Sequence, residues 1–262
     1  MFNRPAQTYD VEDHIVDAIM LDEANPLKRI ALLITDGAKV LDVGAGNGLL
    51  ARVIRRTCEN VVIDGIEPDP YAATIAKQYY RNFHTGYMQE FAEAIQRESY
   101  DFVVLADVIE HIPDPLGFMR NLCAGVSGRT RIVLSIPNVA FGAVRVALLK
   151  GDFDYVDSGL LERTHLRFFT LKTIKMLARN LDVNIESLFF LRRNLFSTEI
   201  KLPRVGISCL SEILRDDLAW VYQFLVVLTK DKAKTDQKTF GEIPEHPLMH
   251  YFISKFRLFL EK

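Results

Sequence analysis

The stretch Val40-Leu41-Asp42-Val43-Gly44-Ala45-Gly46-Asn47-Gly48-Leu49-Leu50 constrains this chain more than any other. An apolar strand, Val40 to Val43, runs into three glycines at alternate positions. A helical pattern follows, with Leu49, Leu50, Val53 and Ile54 on one face. Glycine accepts positive φ and lets a ligand approach the main chain closely. A helix that starts behind such a loop presents free N–H groups. The unit is a strand–loop–helix suited to a small polar ligand. A dinucleotide fingerprint would read G-x-G-x-x-G. Gly44 and Gly46 satisfy it, but Leu49 stands at the third glycine position and Gly48 comes one residue early. Asp42, in the strand end, would repel a pyrophosphate and suits a cationic ligand better.

From residue 38 onward strands and helices alternate, which predicts an α/β fold: a mostly parallel sheet with helices on both faces. Strands are expected at Val40–Val43, Val61–Glu67, Phe83–Met88, Tyr100–Ala106 and Arg131–Ile136. Two late strands are expected at Val183–Leu191 and Val221–Thr229, making seven. Helices are expected at Leu49–Arg56, Pro70–Arg81, Phe91–Gln96, Pro115–Val126, Ala140–Lys150 and Leu171–Asn180, the last capped by Thr170. Residues 1–37 read as a helical cap with stripes at Val11, Ile15, Ala18, Ile19 and at Leu27, Ile30, Ala31, Ile34. Residues 38–230 form the main domain, with an insertion around 192–219. Residues 231–262 read as a polar linker and a C-terminal amphipathic helix, striped by Leu248, Phe252, Phe256 and Phe259. That helix is expected to dock on its own domain, on a second copy as a homodimer, or peripherally on a membrane surface.

Length and charge narrow the partners. At 262 residues the chain suits one α/β domain with additions. A net charge of −2 gives no electrostatic footprint for nucleic acid, so none is expected as a partner. Cys58, Cys123 and Cys209 are far apart and odd in number, which fits reduced thiols and a cytoplasmic protein. No signal peptide and no apolar run of membrane-spanning length is expected.

Three further segments carry chemistry. Glu67 ends the second strand, where a carboxylate can accept both hydroxyls of a ribose. Thr85-Gly86-Tyr87-Met88-Gln89-Glu90 follows the third. The fourth continues as Ala106-Asp107-Val108-Ile109-Glu110-His111-Ile112-Pro113-Asp114-Pro115. Together these resemble the class I S-adenosylmethionine-dependent methyltransferases, whose first motif reads roughly hydrophobic-Leu-Asp-hydrophobic-Gly-x-Gly-x-Gly. The resemblance spans about residues 38–180 and implies a Rossmann-like, doubly wound, mostly parallel seven-stranded sheet. It implies S-adenosyl-L-methionine as cofactor, held by Asp42, Gly44, Gly46, Gly48 and Glu67. Met88 or Tyr87 would flank the adenine, and Ala106 and Asp107 would lie against the methionine and adenosine portions. Where that family usually carries Gly-Asp, this chain has Gly86-Tyr87.

The expected reaction is methyl transfer to an oxygen of a small molecule or a glycan precursor. A hydroxyl acceptor needs a base, and histidine suits neutral pH. His111 and His165 are the candidates. His111 is either that base or a loop histidine that bonds main chain to shape the pocket. His165 lies in Leu161-Glu162-Arg163-Thr164-His165-Leu166-Arg167-Phe168-Phe169-Thr170, which resembles a bacterial glycan and secondary-metabolite subgroup of the same family. Arg163 and Arg167 are expected to lower its pKa and keep it neutral, to bind an acidic acceptor, or simply to close a salt-bridged turn. No metal is expected; Glu110, His111 and Asp114 are the lesser alternative for a cation. The rival functions are an NAD-dependent oxidoreductase, against which Leu49 counts, and a non-catalytic binding module.

Overall fold

A computed structural model of the chain describes residues 13–233 and 238–240. Two short helices lead in, α1 (Asp13–Leu21) and α2 (Pro26–Leu33). Asn25 caps α2 by accepting the Leu27 N–H at 3.0 Å, and Pro26 sits in the first turn, where its missing N–H costs nothing. The alternating part then runs β1 (Lys39–Val43), α3 (Leu49–Ile54), β2 (Val62–Glu67), α4 (Pro70–Ala76), β3 (Phe83–Thr85), α5 (Ala92–Arg97), β4 (Phe102–Ala106), α6 (Pro115–Gly125) and β5 (Arg131–Pro137). After it come α7 (Gly142–Leu148), α8 (Leu171–Asn180), β6 (Asn184–Arg192), α9 (Ile207–Leu214), β7 (Val221–Thr229) and β8 (Lys238–Phe240).

The strands form one sheet in the order β3-β2-β1-β4-β5-β7-β6-β8. The first five are parallel, and β7 runs antiparallel between β5 and β6. The fold is therefore the expected doubly wound, mostly parallel sheet of seven strands, with β8 added in parallel at the β6 edge. Lys238-Thr239-Phe240 lies in a stretch read as polar linker; three residues carry too little pattern to mark a strand, and edge pairing supplies what periodicity does not.

Alternation along the strands feeds two cores. Leu41, Val43, Val103 and Leu105 point to the face covered by α5, α6 and α8, where Ile95, Phe118, Met119 and Ile174 pack. Val40, Phe102 and Val104 point to the opposite face, where Val16 of α1, Ile30 of α2 and Val53 of α3 pack. One expected helix is clearly shorter than its periodicity suggests. The helix begun at Pro70 leaves the α form at Ala76 and continues as a 3₁₀ turn, Lys77–Tyr79. The stretch 192–219 holds α9, which packs on α7 through Ile213 and Val146. Val11 and the stripe from Leu248 to Phe259 lie outside the described residues. Among the described residues no helix is long and apolar enough to cross a membrane.

Strands β1 and β4 are neighbours, yet the chain leaves them toward opposite sheet edges. In open α/β sheets such a switch opens a crevice beyond the carboxyl ends of the strands. Gly44, Glu67 and Asp107 all stand at those ends.

Candidate functional site

The glycine loop is held to β2 by main chain. The Gly44 and Ala45 N–H groups both donate to the Ile66 carbonyl, at 2.9 and 3.0 Å. Gly44, Gly46 and Gly48 all have positive φ, but their surroundings differ. A Cβ on Gly44 would meet the Val108 side chain at 2.7 Å, and one on Gly48 would meet the Tyr79 ring at 2.8 Å and the Ala76 main chain at 3.3 Å. A Cβ on Gly46 would meet nothing within 4 Å. Gly44 and Gly48 therefore let the loop close on the protein, and Gly46 faces open space. The Glu67 carboxylate spans the adjoining strand end: Oε2 accepts the Gly46 N–H and Oε1 the Asp69 N–H, both at 2.8 Å.

Asp42 lies deeper than expected. It is 1% exposed and accepts the Tyr80 hydroxyl at 2.7 Å. Burial, reinforced by the nearby Glu67 carboxylate, pushes its pKa up to about 7. Its partner among the described residues is thus a phenol of the fold, which the sequence reading did not foresee. Met88 opens a 3₁₀ turn, Met88–Phe91, beyond β3 and packs in the core with Leu41, Val43 and Ile66, while Tyr87 is exposed. The expected strand to Met88 stops at Thr85.

At the end of β4 the chain turns sharply. Asp107 has φ 56°, a left-handed conformation that a non-glycine residue adopts at a cost. Oδ1 of Asp107 accepts the Ser135 hydroxyl at 3.2 Å and the Gln223 amide N–H. The Gln223 amide also reaches the Ser135 oxygen at 2.5 Å. Desolvation of the carboxyl, and then the Glu162 carboxylate, push its pKa upward, while the hydrogen bonds from Ser135 and Gln223 hold it down. Ser135 and Gln223 were not singled out in the sequence. Each is a polar residue in an otherwise apolar strand, and that was the available signal.

The next turn, Ile109–His111, brings two distant segments together. The Glu110 carbonyl accepts the Leu166 and Arg167 N–H groups at 2.8 and 2.9 Å. That clamp sets His165 edge-on against His111, ring centroids 4.8 Å apart. Nδ1 of His165 faces the Leu160 carbonyl at 3.0 Å, and Nδ1 of His111 faces the Thr164 carbonyl and hydroxyl, both at 3.1 Å. A carbonyl only accepts, and the Thr164 hydroxyl donates to Glu162. Both Nδ1 atoms must therefore carry the proton in the neutral rings, leaving a lone pair on each Nε2. Burial, and then the neighbouring His111, lower the His165 pKa. The flanking arginines are not the cause: Arg163 pairs with Asp157 at 2.6 Å, and Arg167 donates to the Pro113 carbonyl.

Glu110 itself is 1% exposed, and neither carboxyl oxygen has a hydrogen-bond partner among the described residues. Burial, then Asp107, drive its pKa well upward. One ligand atom each from Glu110, His111 and His165 lie within 4.8 Å of one another. This differs from the expected Glu110–His111–Asp114 grouping. Asp114 caps α6, accepting the Gly117 N–H at 3.0 Å, and His165 takes its place.

A family described as the methyltransferase domain matches residues 21–188, more than half of the chain. The chain is 25% identical over 209 residues to a ubiquinone biosynthesis O-methyltransferase of Pseudomonas fluorescens, covering 75% of this chain and 88% of that protein. A SAM-dependent methyltransferase from Archaeoglobus fulgidus shares the fold with a TM-score of 0.54 and 16% identity, over 84% of this chain and 99% of that one. The plantazolicin methyltransferase in complex with SAH gives a TM-score of 0.51 and 15% identity, over 83% of each chain.

Proposed function

This chain belongs to the methyltransferase-domain family, and on that premise we propose that its strand-end crevice holds S-adenosylmethionine and directs methylation of an oxygen on a small molecule or glycan precursor. The observation that carries this reading is the open space over Gly46 beside the Glu67 carboxylate. It is a cradle that a Cβ would fill, set next to an acceptor suited to ribose hydroxyls. The cofactor supplies an electrophilic methyl group on a sulfonium. The chain holds and orients: the glycine loop and Glu67 take the nucleoside end, and the turn at Asp107 limits the crevice on the β4 side.

The acceptor side is the His111–His165 pair. Each ring presents a bare Nε2 lone pair, so each can take a proton from a hydroxyl, with His165 in the leading role. Positioning of the acceptor supplies much of the remaining rate. Oxygen is favoured because the Pseudomonas fluorescens relative named above is an O-methyltransferase. A dehydrogenase is not favoured: Leu49 begins α3 where a dinucleotide loop would carry its third glycine. Buried free Cys58 and Cys123 and exposed free Cys209 suit a cytoplasmic setting.

The test is transfer of labelled methyl from S-adenosylmethionine across panels of hydroxyl, amine and carboxylate acceptors. Turnover confined to hydroxyl compounds is expected. Turnover confined to amines would overturn the choice of oxygen.

A further inference from the structure

The buried Glu110 carboxyl has no account in the scheme above. A carboxyl with both oxygens enclosed and unpartnered carries an uncompensated desolvation cost. Such a group calls for a missing partner, commonly a water or an ion. Its surroundings argue for the ion. Two imidazoles stand beside it, and both spend their Nδ1–H on carbonyl oxygens. Metal-bound histidines do the same: the second nitrogen donates to a carbonyl or carboxylate, which fixes the tautomer and raises the basicity of the ligating nitrogen. Asp107 and Glu162 lie near enough to add negative potential at Glu110.

We infer that Glu110, His111 and His165 form a binding site for one divalent transition-metal ion, held by the Glu110 carboxylate and the two Nε2 atoms. Two nitrogens and one oxygen select zinc, manganese, cobalt or ferrous ions over magnesium and calcium, which prefer all-oxygen shells. One ligand atom from each of the three residues lies within 4.8 Å of the others, and around a tetrahedral ion with bonds near 2.0–2.1 Å the ligating atoms would close to about 3.4 Å. The His165 segment is tied to Glu110 by two main-chain bonds, so closure needs side-chain rotation more than main-chain movement. Three protein ligands leave a coordination position open.

Binding of the ion stands on these side chains alone. Its use in turnover rests on the methyltransferase reading: the open position would take the acceptor oxygen and lower the pKa of its hydroxyl. The proton then leaves to buffer and the oxygen keeps its electron pair. With the ion bound the imidazoles would act through it; without it they are the free bases proposed above.

The test uses the full chain, free of any histidine tag, stripped with chelator and then titrated with Co²⁺ and Zn²⁺. Calorimetry and the visible spectrum of bound Co²⁺ are the readouts. One equivalent should bind, with nitrogen ligation in the Co²⁺ spectrum. Glu110→Gln and His165→Ala should each weaken binding by about 100-fold or more, since loss of mere supporting contacts already costs 10–100-fold. Added Zn²⁺ should raise the melting temperature of the wild type and not that of Glu110→Gln, which also reports whether the variant is folded. No saturable binding by the wild type, or equal binding by folded variants, overturns the site. Titration of the same samples with S-adenosylhomocysteine reports separately on the cofactor crevice, so failure of one reading is not mistaken for failure of the other.

Discussion

The Gly46 N–H donates to Oε2 of Glu67 at 2.8 Å, joining the loop after β1 to the end of β2. The other carboxylate oxygen holds the Asp69 N–H at the start of α4. One side chain therefore fixes the distance between the open face of the glycine loop and the strand end beside it. Each oxygen keeps a lone pair for a further donor.

Glu67→Gln should weaken S-adenosylhomocysteine binding with little loss of fold. The amide has one accepting oxygen where two main-chain N–H groups need one each, and its NH₂ would confront a donor. A ribose hydroxyl that loses its carboxylate acceptor costs about 1–3 kcal/mol on binding, so affinity should fall about tenfold or more. Calorimetry at fixed salt measures it, with circular dichroism to confirm folding. Unchanged affinity would remove Glu67 from the cofactor site.

Gly46 and Gly48 should separate affinity from stability. Gly48→Ala puts a Cβ against the Tyr79 ring and Ala76 main chain at φ 85°, and left-handed strain alone is about 1–3 kcal/mol. Its melting temperature should drop clearly. Gly46→Val meets no protein atom through its Cβ, so at φ 54° it carries the left-handed strain without the clash, and it should lose more cofactor affinity than Gly48→Ala does. Thermal denaturation and calorimetry on both variants decide this; the reverse ranking contradicts the assignment of the open space.

His165→Ala should lower kcat on the order of 100-fold while leaving S-adenosylhomocysteine affinity unchanged. His111→Ala should show a smaller loss of the same kind. Because the His165 pKa is lowered, the ring stays neutral as pH falls through 6.5, so the acidic limb of the rate profile should lie below that value. The same shift means that the unfolded chain protonates first, and stability should decline as pH falls from 6.5 toward the folded pKa. Wild-type turnover in both variants would show that neither ring acts on the acceptor.

Asp42 should make stability fall as pH rises. Its folded pKa, about 7, stands above the unfolded value of 3.8. Between those limits the native state binds more protons than the unfolded one, so stability is lost from pH 4 to pH 7 and is level above. Asp42→Asn keeps an acceptor for Tyr80 and should flatten that slope, standing above the wild type at pH 8 and near it at pH 4. Denaturant titrations across pH give the comparison, and parallel slopes would contradict the burial cost.

Local pattern made much of this molecule legible. Alternation gave the order of strands and helices, and the caps at Asn25, Asp69 and Thr170 are local hydrogen bonds that short sequence windows contain. Gly46, Glu67 and Asp107 were findable because strand ends are. Partnership across the fold was not legible. Nothing near Asp42 points to Tyr80, and nothing near Arg163 shows that Asp157 will take its charge before His165 feels it. The tautomers of His111 and His165 depend on which carbonyls they meet, which only tertiary structure decides.

The crevice between the glycine loop and Glu67 should bind the S-adenosyl cofactor. Calorimetric titration of the full chain with S-adenosylhomocysteine and, separately, with NAD tests it most directly. Saturable one-to-one binding of S-adenosylhomocysteine, weakened by Glu67→Gln, with no comparable heat from NAD, is the expected result. Binding of NAD in preference to S-adenosylhomocysteine, or binding of S-adenosylhomocysteine that Glu67→Gln leaves untouched, would contradict it.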